Sequence, residues 1–364
     1  MRAQLRVLAA ITVLFTVSCA SLPARRQSSP VKPARGERRN EQRAAVLARA
    51  QVWRTTDVRQ ADVLAGPRGA GSFARNATIT CDYLDKKLSG LSPKFACRAN
   101  GDELKVKYGG GNGEVYGEVL ATRLLWALGF GADAMYPVNV ICRGCPRDFG
   151  GIERPNGESR FDPAVVERKM SGTEWPSGAD SGWSWREFAE VVPARGGAPK
   201  AHRDALTLLA VFLQHTDSKP QQQRIVCVGG VDDGACSQPF LIISDVGLTF
   251  GTGSRANVND VSGANLERWR ATPVWRDAPG CVGNIDKSFT GTLERPVIGE
   301  AGRQFLATLL QQLSDAQLHD LFDVARVNLR VREPGKALSG FPSIDEWVSV
   351  FKAKRDEIVS KRCA

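Results

Sequence analysis

Cysteine usage sets the first constraint on what this chain can fold into. Nine cysteines occur in 364 residues, and the first, Cys19, closes a leader-like segment. That segment, MRAQLRVLAAITVLFTVSCA, joins two early arginines to an apolar run from Val7 to Val17 and then to small residues, the layout of an export signal. A bilayer-spanning anchor needs about 20 apolar residues, so the run is too short to remain as one. Cleavage after Ala20 and lipidation of Cys19 both stay open, since Thr16 stands where a lipobox prefers leucine. Eight cysteines then remain, Cys81, Cys97, Cys142, Cys145, Cys227, Cys236, Cys281 and Cys363, and an even number in an exported chain predicts disulfides. Cys81 with Cys97 and Cys227 with Cys236 each flank a polar or glycine-containing stretch between strand-like runs, so each pair could staple a hairpin. The pairing of the other four is open. Cys142 and Cys145 form a CxxC with no histidine or second CxxC near it, which favours a structural bridge over zinc or redox chemistry.

The net charge of +10 suggests a nucleic-acid partner until it is located. Residues 1–59 carry 12 Lys and Arg against 3 Asp and Glu, leaving 37 against 36 in the rest. The basicity therefore belongs to the leader and to the segment behind it, and no nucleic acid is expected. Residues 21–45, polar, proline-containing and basic, read as a disordered tether, either a solvated linker or one that rests on anionic lipid or cell-wall polymer, so that a membrane tether could run through Cys19 or through this basic tail.

At 42% hydrophobic residues the body can bury a sizeable core. After a short helix expected over Glu41–Trp53, three strand-like runs follow in order, Ala77–Leu84, Pro93–Arg98 and Glu103–Tyr108, and suggest an antiparallel meander. The period then changes to helical from about Gly113 to Leu128, and Pro137–Cys142 returns to strand character. Residues 146–164 read as loop, with a short strand over Val165–Met170. A very apolar helix, His202–Gln214, runs into the loop HTDSKPQQ. Two strand-like runs follow, Arg224–Val228 and Phe240–Ser244, the second ending at Asp245-Val246-Gly247. Helices are expected around Gly302–Leu313, Asp315–Val327 and Ser343–Lys361. The fold class is thus α+β, with signal (1–20), tether and short helix (21–59), a small β-rich lobe (60–170) and a larger, mainly helical, disulfide-bonded lobe (171–364). A cleft between two such lobes favours a ligand.

HTDSKPQQ resembles the protein-kinase loop motif HRDLKPxN, with matches at His215, Asp217, Lys219 and Pro220, and Asp245-Val246-Gly247 resembles DFG. The closest resemblance is to atypical kinase-like folds, the HipA-type and secretory-pathway kinases. It implies that Asp217 orients or deprotonates an acceptor hydroxyl, that Lys219 steadies the transferring phosphate, and that Asp245 holds Mg²⁺ or Mn²⁺. Gln222 stands at the asparagine position and retains an amide oxygen for the metal on a longer arm. A strand lysine held by a helical glutamate is also required to bind ATP. Lys105 and Lys107 share one strand face, Glu114 and Glu118 one helix face, and Lys107 with Glu118 is the preferred pair. A phosphate-covering loop would lie between the first two strands, where LDKKLSGLS is available, while GPRGAGSF precedes them. Glu167–Gly172 sits where an interlobe linker would pass the adenine.

The expected function is an exported phosphotransferase that moves phosphate, or a nucleotidyl group, from a nucleoside triphosphate to an unknown hydroxyl acceptor on a protein or envelope component. An inactive kinase-like module binding an envelope partner is the alternative, favoured by the scarcity of free ATP outside the cytoplasm. A third reading is a non-kinase envelope protein with fortuitous motifs. Three histidines in the chain disfavour a histidine metal hydrolase, and no GxSxG elbow supports a serine hydrolase. Trp175, Trp183 and Trp185 suit packing between lobes better than sugar stacking.

Overall fold

Alternating burial along the early strands decides how the β-rich part closes. The structure is a computed structural model that describes residues 35–176, 181–251, 263–277, 280–330 and 342–363. The leader and the tether as far as residue 34 lie outside the described residues. Helix α1 spans Arg35–Ala48, so the stretch expected to continue as tether to residue 45 is helical from residue 35. Its sequence, RGERRNEQRAAVLA, consists largely of good helix formers, and burial of Val46 and Leu47 anchors its end. Residues 41–364 form one compact unit.

Strands β1 (Ala77–Leu84), β2 (Lys94–Ala99) and β3 (Asp102–Tyr108) form the expected antiparallel meander. Helix α2 (Glu114–Ala127) follows, and β4 (Ala134–Arg143) returns parallel to β1. The stretch expected to be loop instead holds β5 (Ile152–Glu153) and most of β6 (Glu158–Arg168). Exposed Arg160 and Asp162 alternate with buried Ser159 and Phe161, but Pro163 within the run reads as a strand breaker and conceals it. Strand β6 pairs with β4 along one edge and with β3 along the other at Ala164–Val166, closing β3-β2-β1-β4-β6 into a ring. Ile79, Phe95, Leu104, Val106, Val138, Val140 and Phe161 fill it. Leu104 and Val106 point inward, so Lys105 and Lys107 must point outward, toward α2.

Helix α2 is buried at every position except Glu114 and Trp126, and its apolar residues belong to the larger core of the helical part. After β7 (Thr173–Trp175), the apolar helix α3 (Lys200–Leu213) leads toward the hairpin of β8 (Gln223–Cys227) and β11 (Pro239–Ile243). Two short strands, β9 (Val231–Asp232) and β10 (Ala235–Cys236), cap the hairpin. Helices α4 (Leu266–Ala271), α5 (Glu300–Gln311), α6 (Asp315–Val324) and α7 (Ile344–Ser360) complete the core. Trp175, Trp183 and Trp185 are all buried, and the first two donate their indole N–H to Gly234 O and Ile242 O. They are core residues.

The eight cysteines form disulfides Cys81–Cys97, Cys142–Cys145, Cys227–Cys236 and Cys281–Cys363. The two hairpin staples and the bridged CxxC agree with expectation, and the fourth bond ties the end of the chain to the helical core. Among the described residues no helix is long and apolar enough to cross a membrane.

Candidate functional site

Antiparallel register brings the two motif-bearing segments together. Gln223 pairs with Ile243 across the β8–β11 hairpin, so Gln222 before it and Ser244-Asp245 after it are neighbours. The backbone N–H groups of Ser244 and Asp245 both donate to Gln222 O, at 2.8 and 3.3 Å. The loop's entry is set by Gln214, which closes α3 in a left-handed conformation at φ 58°. A non-glycine residue pays for that conformation, and the return is that the chain turns off the helix axis directly into His215-Thr216-Asp217. A later segment covers the loop: Ser288 N–H donates to Thr216 O at 3.0 Å and Leu293 N–H to the Ser218 hydroxyl at 2.9 Å.

Asp217 is buried and accepts hydrogen bonds from Gln222 Nε2 at 2.5 Å, Lys219 Nζ at 3.4 Å and the Ser288 hydroxyl at 3.5 Å. Gln222 Nε2 also reaches Asp245 Oδ2 at 3.4 Å, while Gln222 Oε1 is buried without a hydrogen-bond partner. The sequence alone pointed to Gln222 but not to Ser288, which lies about 70 residues away in a segment with no motif.

Lys107 connects this loop to the β-rich part. Its side chain is 2% exposed, and its ammonium donates to Glu118 and, at 2.6 Å, to Glu114, with Asp245 Oδ1 at 3.5 Å. The sequence-based preference for Glu118 as partner thus finds Glu114 alongside it, because the two lie one helical turn apart on the same face. Lys105 meets neither glutamate: it pairs with Glu167 at 2.5 Å, the first residue of the expected linker. Glu114 in turn accepts from the Ser92 hydroxyl at 2.8 Å.

The charges follow from this crowding. Burial pushes the Lys107 amine down, but Asp245, Glu118 and Glu114 together outweigh it and hold the amine charged, with its pKa well above the ordinary lysine range. Burial would raise Asp245 too, yet Lys107 and then Lys105 outweigh that and keep its carboxylate below the usual range. Glu118 goes the other way: burial pushes it well up and Lys107 offsets this only in part. With three carboxylates around one ammonium, Glu118, the deepest, most favours the proton, while Asp245 retains its charge.

Behind the site, Asp133 and Arg224 form a buried ion pair that also engages Ser244 at 2.7 Å, Met170 N–H at 2.8 Å and Glu174 at 3.3 Å. It fastens β8 and the end of β11 to the connection between β6 and β7. Asp133 and Arg224 belong to no motif, so nothing in the sequence singled them out.

Gly117 holds α2 against the Asp245-Val246-Gly247 turn. A Cβ there would lie 2.3 Å from Gly247 O, a backbone atom that cannot swing aside. Gly117→Ala should therefore push the turn away from Glu118 and cost roughly 1–3 kcal/mol as overpacking, read as a lower denaturation midpoint. A midpoint equal to or above wild type would mean that the turn yields freely.

His215 offers a pH test. It is 2% exposed with Nε2 unpartnered, and burial lowers its pKa to about 4. Because the folded value lies below the unfolded one, the unfolded chain takes up the proton first as pH falls, and stability is lost from about pH 6.5 downward. Between pH 7 and pH 5 this one group should cost about 2 kcal/mol. Urea titrations at both pH values should show that loss in the wild type and a smaller one in His215→Gln. Equal losses would mean that the imidazole is not kept neutral by the fold.

No protein-family model and no curated protein matches the sequence. Among solved structures, the crystal structure of a Helicobacter pylori proinflammatory kinase, CtkA, is similar over 79% of this chain and 95% of that chain, with a TM-score of 0.40 and 11% sequence identity. A likeness that distant leaves the functional reading to the side chains themselves.

Proposed function

We propose that this is an exported, kinase-like phosphotransferase that binds a nucleoside triphosphate with Mg²⁺ or Mn²⁺ and transfers phosphate to a hydroxyl-bearing acceptor. The observation that carries the reading is one connected polar cluster assembled from three separate segments: Lys107 on β3, Glu114 and Glu118 on α2, and Asp217, Lys219, Gln222 and Asp245 around the β8–β11 hairpin. No single element needs these groups for its own stability, and bringing buried like charges together is costly.

The donor set suits a hard divalent cation. Asp245, Glu114 and Glu118 can each offer an oxygen within 4.8 Å of the others, Asp245 stays charged, and Gln222 has an orphaned amide oxygen beside it. All-oxygen ligands favour Mg²⁺ or Mn²⁺ over softer metals. Asp245 with Gln222 would hold the ion, which when bound neutralises charge along the phosphates. Lys107 then serves as the fixed phosphate-binding cation, kept in place by Glu118 and Glu114. Asp217, aimed by Gln222 and Ser288, takes the proton of the acceptor hydroxyl or orients that hydroxyl, and Lys219 beside it stabilises the phosphoryl group in transfer. In this reading residues 60–170 and 171–364 are the two lobes, Glu167–Gly172 is the linker between them, and Lys105 supports the phosphate site through Glu167. Four disulfides suit an oxidising compartment, with Cys19 or the basic tail as membrane tether.

One observation favours the alternative, an inactive module that binds an envelope partner: Gln222 Nε2 already bridges Asp217 and Asp245 where a metal ligand is wanted. Thermal unfolding of the oxidised full-length chain with ATP and Mg²⁺ or Mn²⁺ separates the two. A ligand at about 100 times its Kd stabilises by about 2.7 kcal/mol, and a metal-dependent shift that vanishes in Asp245→Asn supports the enzyme reading. Absence of a shift with any nucleotide and metal would overturn it.

A further inference from the structure

Lys94 is the cross-strand partner of Lys107 in the β2–β3 ladder. Directly opposite side chains lie about 5 Å apart on the same sheet face, and like charges placed so are destabilising. Ala96, the next residue of β2 on that face, pairs with Lys105, so the surface turned toward α2 carries three lysines. Lys105 has Glu167, and Lys107 has Glu118, Glu114 and Asp245. Lys94 makes no ion pair among the described residues; its half-buried ammonium donates to Ser92 O and to the Ser92 hydroxyl, each at 3.2 Å.

The surrounding loop is built to hold that amine. Gly90, at φ 89°, leaves open a space in which a Cβ would sit 2.9 Å from Lys94 Nζ. The Ser92 hydroxyl passes the connection on to Glu114, and Glu114 to Lys107. Lys94 is therefore joined through Ser92 and Glu114 to the amine that stands beside Asp245. Leu91, one residue before Ser92, is fully exposed at the tip of this loop.

Resting on the nucleotide-binding reading above, we infer that Lys94 is a second phosphate-binding cation, and that the β1–β2 loop, through Ser92, carries it onto the outer phosphates of the triphosphate. The loop contains a single glycine between Leu84 and Lys94, so it cannot wrap phosphates with a run of backbone amides. A side-chain ammonium takes that role. The mutual repulsion of Lys94 and Lys107 is relieved when a polyanion bridges them, and a chain of phosphates has the charge and length to do so.

The test is titration calorimetry of the oxidised full-length chain with ATP, ADP and AMP in Mg²⁺, comparing wild type, Lys94→Met and Lys94→Arg. Lys94→Met should bind ATP more weakly by about tenfold or more, the scale of one lost charged hydrogen bond. AMP should bind equally well to all three proteins, and Lys94→Arg should recover most of the ATP affinity. A packing role for Lys94 would instead weaken every nucleotide alike, and that outcome overturns the inference. Unchanged ATP affinity in Lys94→Met overturns it as well, with the nucleotide reading intact. A wild-type chain that binds no nucleotide overturns both.

Discussion

Lys107→Met should lose about 3–5 kcal/mol of folding stability at neutral pH, the cost of leaving buried charge without its partner. The Lys107 side chain is 2% exposed, and Glu118 and Glu114 both turn to it. Methionine preserves much of the volume, so the loss is electrostatic and must depend on pH. In the wild type the raised Lys107 pKa keeps the amine charged at any pH below the ordinary lysine range, so the amine itself does not titrate between pH 5 and pH 7.5. In the variant the carboxylates face one another with no cation between them, so the already raised Glu118 climbs further and Asp245 loses the depression that Lys107 gives it. Stability is then lost as pH rises and regained on acidification. Denaturant titrations at pH 7.5 and pH 5 should show the gap between variant and wild type narrowing at the lower pH. A gap of equal size at both would mean that Lys107 acts through packing rather than charge.

Asp217→Asn should lower phosphate transfer by roughly 10²–10⁴-fold, the range of a positioned general base. Asparagine is isosteric, keeps an oxygen for Gln222 and Lys219, and places an NH₂ that can donate to the Ser288 hydroxyl, so the loop should stay folded and nucleotide binding should survive. Asp245→Asn should abolish both metal-dependent binding and transfer. The measurement is release or incorporation of γ-labelled phosphate, with melting curves to confirm folding. Wild-type protein that binds nucleotide yet transfers no phosphate to water, itself or any acceptor would favour the inactive module, in which the Gln222 bridge between the two aspartates is the resting arrangement.

Local pattern carried much of the fold. The first three strands were legible because alternation with period two over Ala77–Tyr108 is not confused with a helix, and turn residues punctuate it. Helix α3 was legible from its apolar run, and the two hairpin disulfides from their flanking strands. The first part of β6 was hidden by Pro163 while its end was expected as a strand from Val165, and the helical turns before residue 41 were hidden by a composition rich in arginine that suits a tether as well as a helix. Lys107 with Glu118 was the preferred pair in sequence, but Lys105 shares the same strand face, and the placement of α2 and Glu167 is what gives the two lysines different partners.

By itself the sequence determined which residues are proposed to carry chemistry and in what order, because residue type and spacing along one strand, helix or loop are local properties. It also determined that eight cysteines were available to pair as disulfides, as they do. Tertiary structure alone decided that Glu114 joins Glu118 on Lys107, that Ser288 reaches Asp217, that Asp133 and Arg224 brace the site, and that Lys94 stands opposite Lys107. Each of those contacts depends on strand register or on a chain reversal many residues away. Such distances are set by the packing of whole elements, and no spacing rule within a single element contains them.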